Sequence, residues 1–112
     1  MYSAKTFIQG AGIKSAAIVY YQAPLGTAAR ITQMSFTNTS VSPVIINLYI
    51  VPTNSTPATT DLIIKDKTLQ SNETWVPYQA LGAVLTAGGT IQATASTNDV
   101  VILKASGVEL TA

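Results

Sequence analysis

The stretch from residue 85 to residue 110, LTAGGTIQATASTNDVVILKASGVEL, decides the fold. Gly88 and Gly89 set a tight turn, and the run after them alternates, with Ile91, Ala93 and Ala95 on one face and Gln92, Thr94 and Ser96 on the other. A two-residue period is the signature of a half-buried β-strand. The polar turn STND follows, and then VVIL at 100–103, apolar on both faces. The pair reads as two adjoining strands, the second needing cover on both sides.

Working outward, the same pattern recurs. AAIVYYQA (16–23) is β-rich and ends at Pro24 and Gly26. ARITQMSFTNTS (29–40) places Thr32, Met34 and Phe36 on one face and Gln33, Ser35 and Thr37 on the other, with a turn from Asn38 to Pro43. VIINLYIVP (44–52) puts Val44, Ile46, Leu48 and Ile50 opposite Ile45, Asn47, Tyr49 and Val51. TNSTPATT (53–60) is a loop by composition, DLIIKDKTLQ (61–70) a strand, and TWVPYQ (74–79) an extended piece that Pro77 confines to an edge or bend. ALGAVL (80–85) is expected as a helical turn with Leu81, Val84 and Leu85 inward. Lys65-Asp66-Lys67 reads as a solvated strand edge or turn. These readings give an all-β, antiparallel β-sandwich of Greek-key or jelly-roll type, with about seven short strands and no substantial helix. Residues 1–15, with Gly10 and Gly12 and little periodicity, read as an N-terminal arm or loosely attached strand, and 16–112 as the sandwich domain.

Composition narrows the chemistry. The 112 residues suit one domain. Only 10% are charged, against roughly 25% in ordinary soluble domains, while 47% are hydrophobic. The six cations are dispersed and net charge is +1, so there is no basic cluster for nucleic acid. No apolar run approaches a membrane span or the core of a secretory signal, and synthesis in a cytoplasm is expected. With neither His nor Cys, the commonest general bases, nucleophiles and transition-metal ligands are missing. The carboxylates Asp61, Asp66, Glu73, Asp99 and Glu109 fall mostly at turns and strand ends, which suits solvated and capping roles better than a converging catalytic pair. No enzyme, cofactor or metal site is expected. The sequons at Asn38, Asn54 and Asn72 read as chance occurrences in a chain rich in Thr and Ser.

Strands apolar on both faces leave more apolar surface than a lone sandwich hides, and few charges break it up. A second copy of the chain is the expected cover, in a homo-oligomer with closed symmetry, a trimer favoured. The candidate interface residues are Tyr20, Tyr21, Ile45, Tyr49, Trp75, Tyr78, Val100 and Ile102. Exposed together, the aromatics among them would instead suit stacking on sugar rings, as in a glycan-binding module for host attachment.

YYQAPLGTAARITQMSFTNTS, VIINLYIVPTN, LIIKDKTLQSNETWVPY and LGAVLTAGGTIQATASTNDVVILKASGVEL together resemble small virion structural proteins of tailed bacteriophages. The likeness runs from about Ala16 to Leu110 and rests on turn and core positions: the Arg-Ile strand ending in Thr-Asn-Thr, the LYIVP strand, the Asn-Glu-Thr turn before an aromatic, and the Ser-Gly-x-Glu ending. Where that pattern often has a carboxylate after the turn glycine, this chain has Gly88-Gly89-Thr90. The resemblance implies a non-enzymatic virion component, a capsid decoration or cement protein first and a neck, tail or baseplate accessory second. It would dock on the major capsid protein or another virion protein, its arm ordering on binding.

Overall fold

The computed structural model describes residues 2–52 and 56–111. Among them lie β1 (Tyr2–Gly12), β2 (Ile18–Gln22), β3 (Thr27–Asn38), β4 (Val44–Val51), β5 (Leu62–Leu69), β6 (Thr74–Trp75), β7 (Val84–Leu85), β8 (Thr90–Ala95) and β9 (Val101–Thr111). Two single 3₁₀ turns, Thr59–Asp61 and Tyr78–Ala80, are the only helical pieces among the described residues. One sheet runs β1-β9-β3-β6 with β7 also on β3; the other runs β2-β8-β4-β5. Every pairing is antiparallel. The sandwich is the expected one, with nine strands in place of about seven. The additions are β1 and β7.

Alternation builds the core. Ile91, Ala93 and Ala95 of β8 are buried, as are Val101, Leu103 and Ala105 of β9, and they meet Phe36, Ile46 and Leu48 between the sheets. β9 lies between β1 and β3, so it is hydrogen-bonded along both edges. Its opposite face, with Ile102, Ser106 and Val108 half-buried and Lys104 exposed, points away from the core.

Of the two expectations for the N-terminal segment, an arm or a strand, residues 2–12 form the strand, and it is built into the sheet. β1 pairs with β9 from Tyr2↔Leu110 to Gly12↔Ile102, and Phe7, Ile8 and Ile13 enter the core. Its register shifts twice, between Thr6 and Ile8 and between Ile8 and Ala11. The first shift turns the consecutive Phe7 and Ile8 inward together, which erases a two-residue period. Beyond β1 the chain stays fixed: Ile13 N–H donates to the Val101 carbonyl at 2.9 Å and Asp99 N–H donates to the Ile13 carbonyl at 3.0 Å.

Two face assignments also change. β3 shifts register against β9 between Ile31 and Gln33, so its buried side chains run Ala29, Ile31, then Met34, Phe36 and Asn38, and Thr32 is exposed. Residues 80–85 are not a helical turn. The 3₁₀ turn stops at Ala80, Gly82 takes a positive φ of 86°, and Val84 pairs with Arg30. Leu85 is buried and Leu81 half-buried, but Val84 is 57% exposed, because strand alternation sends it to the opposite side from Leu85.

β5 is a rim of the four-stranded sheet and carries Lys65, Asp66 and Lys67 there, as expected of that motif. Asp66 has φ 53°, and its N–H donates to Asn47 Oδ1 at 2.8 Å, so the strand is kinked where a neighbouring strand would have to pair.

Asn38 joins the loops at one end of the sandwich. Fully buried, it donates through Nδ2 to the carbonyls of Ser42 (2.9 Å), Leu69 (3.1 Å) and Gln70 (3.2 Å), and its Oδ1 accepts from Ser40 N–H (2.9 Å) and Ser40 Oγ (2.8 Å). An amide so committed carries no glycan in the folded protein. Asn72 sits at φ 61° in a turn, and the sequon at residues 54–56 includes positions outside the described residues. Asn38→Ala orphans the buried Leu69 carbonyl and should cost about 2–4 kcal/mol, summed over the lost bonds, read as a lower urea midpoint; an unchanged midpoint contradicts the role. Gly107 is fixed by space, since a Cβ there would overlap the Arg30 carbonyl oxygen and lie 2.9 Å from Phe7 Cε2. Gly107→Ala should therefore lower stability by about 3 kcal/mol in the same experiment.

Candidate functional site

The five carboxylates are dispersed. Asp61 Oδ2 accepts from Ala58 N–H at 3.0 Å and Glu73 Oε1 from Gln70 N–H at 2.7 Å. Asp66 pairs with Lys65 at 3.2 Å, and Asp99 takes both oxygens to Lys14 Nζ, at 2.6 and 2.7 Å. Glu109 accepts from the Tyr21 hydroxyl at 2.5 Å. Among the described residues no three acids gather to hold a metal ion. Among the described residues, the concave places and exposed faces offer surfaces for contact, without a converging acid–base pair at any of them.

The eight candidate interface residues do not form one patch. Tyr20 and Tyr21 are tied internally: the Tyr20 hydroxyl accepts from Lys14 N–H at 2.9 Å, while Tyr21 stacks on Phe7 with ring centroids 4.3 Å apart. Tyr21 thus spans from β2 to β1 and β9, closing the gap between the sheets at that end. Trp75 is half-buried beside Phe36, and Lys67 Nζ lies 5.0 Å from its ring centroid, occupying a face that a sugar would need. Tyr78 is exposed in its 3₁₀ turn, Val100 is half-buried in the turn before β9, and Ile102 faces outward from the five-stranded sheet. Ile45 and Tyr49 alone share a surface, the outer face of the four-stranded sheet.

That outer face is distinctive in its chemistry. β2, β8 and β4 contain no charged residue, so the charges of this sheet lie on β5. One cross-strand row runs Val19, Gln92, Tyr49, Leu62; Asn47 and Thr94 form the next, with Asn47 Nδ2 donating to Thr94 Oγ1 at 3.1 Å. Ile45 (42% exposed) and Val19 (50%) stand among these amides and hydroxyls. Val19 belongs in this set and sequence reasoning missed it, because IVYYQ is apolar on both faces and its register shifts between Val19 and Tyr21. The polar side of β8 with Gln92, itself buried, was legible. The outer face of the five-stranded sheet differs: Arg30 and Lys104 stand there among Ser, Thr and Gln.

By sequence the chain matches no protein family and no curated protein. By structure it superposes on a chain of the T13 viral particle of infectious bursal disease virus, with 8% identity and a TM-score of 0.55, covering 99% of this chain and 31% of that one. A chain from the Gt strain of that virus gives 11% identity and a TM-score of 0.49, covering 97% and 32%. The first of these shows a shared fold. This chain spans about a third of the length of the viral chains it matches.

Burial raises the pKa of both Tyr20 and Tyr21; for Tyr21 the bond to Glu109 and that carboxylate's charge push further the same way. A phenol whose folded pKa is raised contributes stability that is fully present below its unfolded value of about 10 and is lost as pH climbs through the folded value. Stability should therefore fall above pH 10, and Tyr21→Phe should flatten that fall, measured by urea unfolding across alkaline pH. An equally steep fall in the variant contradicts the assignment.

Proposed function

We propose that this chain is a non-enzymatic structural component of a virus particle that works as a homo-oligomer. The observation that carries the reading is the uncharged outer face of the four-stranded sheet, where Val19 and Ile45 are solvent-exposed in a ring of Thr, Gln, Asn and Tyr side chains. Apolar and amide groups without charge bury at low desolvation cost, whereas each charge in such a place would need a partner. The fold shared with a viral particle chain supports the same class, as does the resemblance to small phage virion proteins.

Within that class the reading is a capsid decoration or cement protein, grouped as a trimer around a closed axis and seated on the major capsid protein or another virion component. A short, stiff sandwich suits that work: its loops are pinned by Asn38 and by the Lys14–Asp99 pair, so contacts made at its faces transmit load without rearrangement. The self-contact is assigned to Val19, Ile45 and Tyr49, with Gln92 buried beneath them and held by its bond to Thr90 Oγ1.

Light scattering at micromolar concentration should give three times the chain mass for the wild type. Val19→Glu combined with Ile45→Glu places carboxylates in the contact and should give the single-chain mass with an unchanged circular dichroism spectrum. A wild-type monomer, or an oligomer indifferent to both substitutions, overturns the assignment.

A further inference from the structure

The two outer faces differ in charge. On the five-stranded sheet, Arg30 lies opposite Val108 and Lys104 opposite Ser35, and all four belong to the side turned away from the core. Both cations are exposed, and neither makes an ion pair or side-chain hydrogen bond among the described residues. Every carboxylate is engaged elsewhere: Asp99 by Lys14, Asp66 by Lys65, Asp61 and Glu73 by backbone N–H groups, and Glu109 by Tyr21 at the sandwich end. Among the described residues this face therefore carries positive charge with no side-chain carboxylate to offset it.

Two hollows lie along it. Around Lys104 is a concavity of about 540 Å³ edged by Thr6, Gln9, Gln33, Ser35 and Ser106, formed where β1 and β3 both shift register. Around Arg30 is a second, of about 420 Å³, lined by Ala28, Val84, Val108 and Leu110, the last 40% exposed. Lys104 and Val108, the cross-strand neighbour of Arg30, are four residues apart on β9, a separation of about 13 Å at strand rise.

We propose that this face docks an extended protein segment bearing two carboxylates about 13 Å apart, the spacing of positions i and i+4 in a strand, with an apolar side chain seated in the hollow between Val84 and Leu110. The same face of a second copy does not fit, because it would set cation against cation and brings no free acid. Nucleic acid fits poorly as well: two cations neutralise too few phosphates, and an apolar hollow offers them nothing. The site lies on the sheet opposite the self-contact assigned above and stands independently of it.

The test uses the full chain and a synthetic peptide with glutamates four positions apart in an extended Thr/Val background, beside its glutamine twin. Amide shift changes are expected at β3 and β9 around Arg30 and Lys104. Affinity should fall roughly tenfold for the glutamine twin, and similarly for Arg30→Gln with Lys104→Gln, as charge-assisted contacts are lost; the melting temperature should not move, since both side chains are exposed. Absence of binding, equal binding of the glutamine twin, shifts confined to β2, β8 and β4, or tighter binding of oligothymidylate at these residues would each overturn the proposal.

Discussion

The pairing of β3 with β9 is the contact on which the other parts of this molecule depend. It runs from Thr27↔Thr111 to Asn38↔Val101, and β1, β6 and β7 are all added to one or other of these two strands. The approach is close enough at Gly107 that the Arg30 carbonyl occupies the space of a missing side chain. Because β9 is flanked on both sides, its inward residues are locked in register, and a slip of one residue would send Leu103 outward and Lys104 into the core. The buried Asn38 amide fastens the end of β3 to the loop leaving β5, which ties the first sheet to the second.

The sequence revealed the strands that obey a strict period and concealed those that do not. β8 and β4 were legible because they pair with each other without a register shift and their apolar faces alternate, although burial departs from that alternation at Thr90, Gln92, Ile50 and Val51. β1 was not, since two shifts of register within eleven residues place Phe7 and Ile8 side by side in the core, a pattern no simple period describes. One extra residue in β3 likewise moved Thr32 to the outside while leaving Met34 and Phe36 where alternation puts them. For the interaction surface, the abundance of uncharged strand residues was visible, but its division between faces was not. Tyr21 looks like any exposed strand aromatic until Phe7 is found beneath it, and Phe7 comes from the segment whose pairing was hidden.

Two sheets of similar size thus present opposite outer chemistries. One shows neutral amides, hydroxyls and aliphatic groups; the other shows hydroxyls and amides around two unpaired cations. Sparse charge makes the contrast sharp, because each ionised side chain in a chain with so few becomes a local landmark. Four of the five acids are spent at turns or the β5 rim and the fifth on Tyr21, so the positive face arises from where the acids went as much as from Arg30 and Lys104 themselves.

The kink at Asp66 has a bearing on growth. With Lys65, Asp66 and Lys67 along that border and a bent main chain between them, the four-stranded layer accepts no further strand on that flank. Its opposite flank, β2, lies beside β1 of the other layer, so both long open borders are on one side of the molecule. Growth through both flanks of the four-stranded layer is thereby disfavoured, which leaves the β2 border open to a further strand.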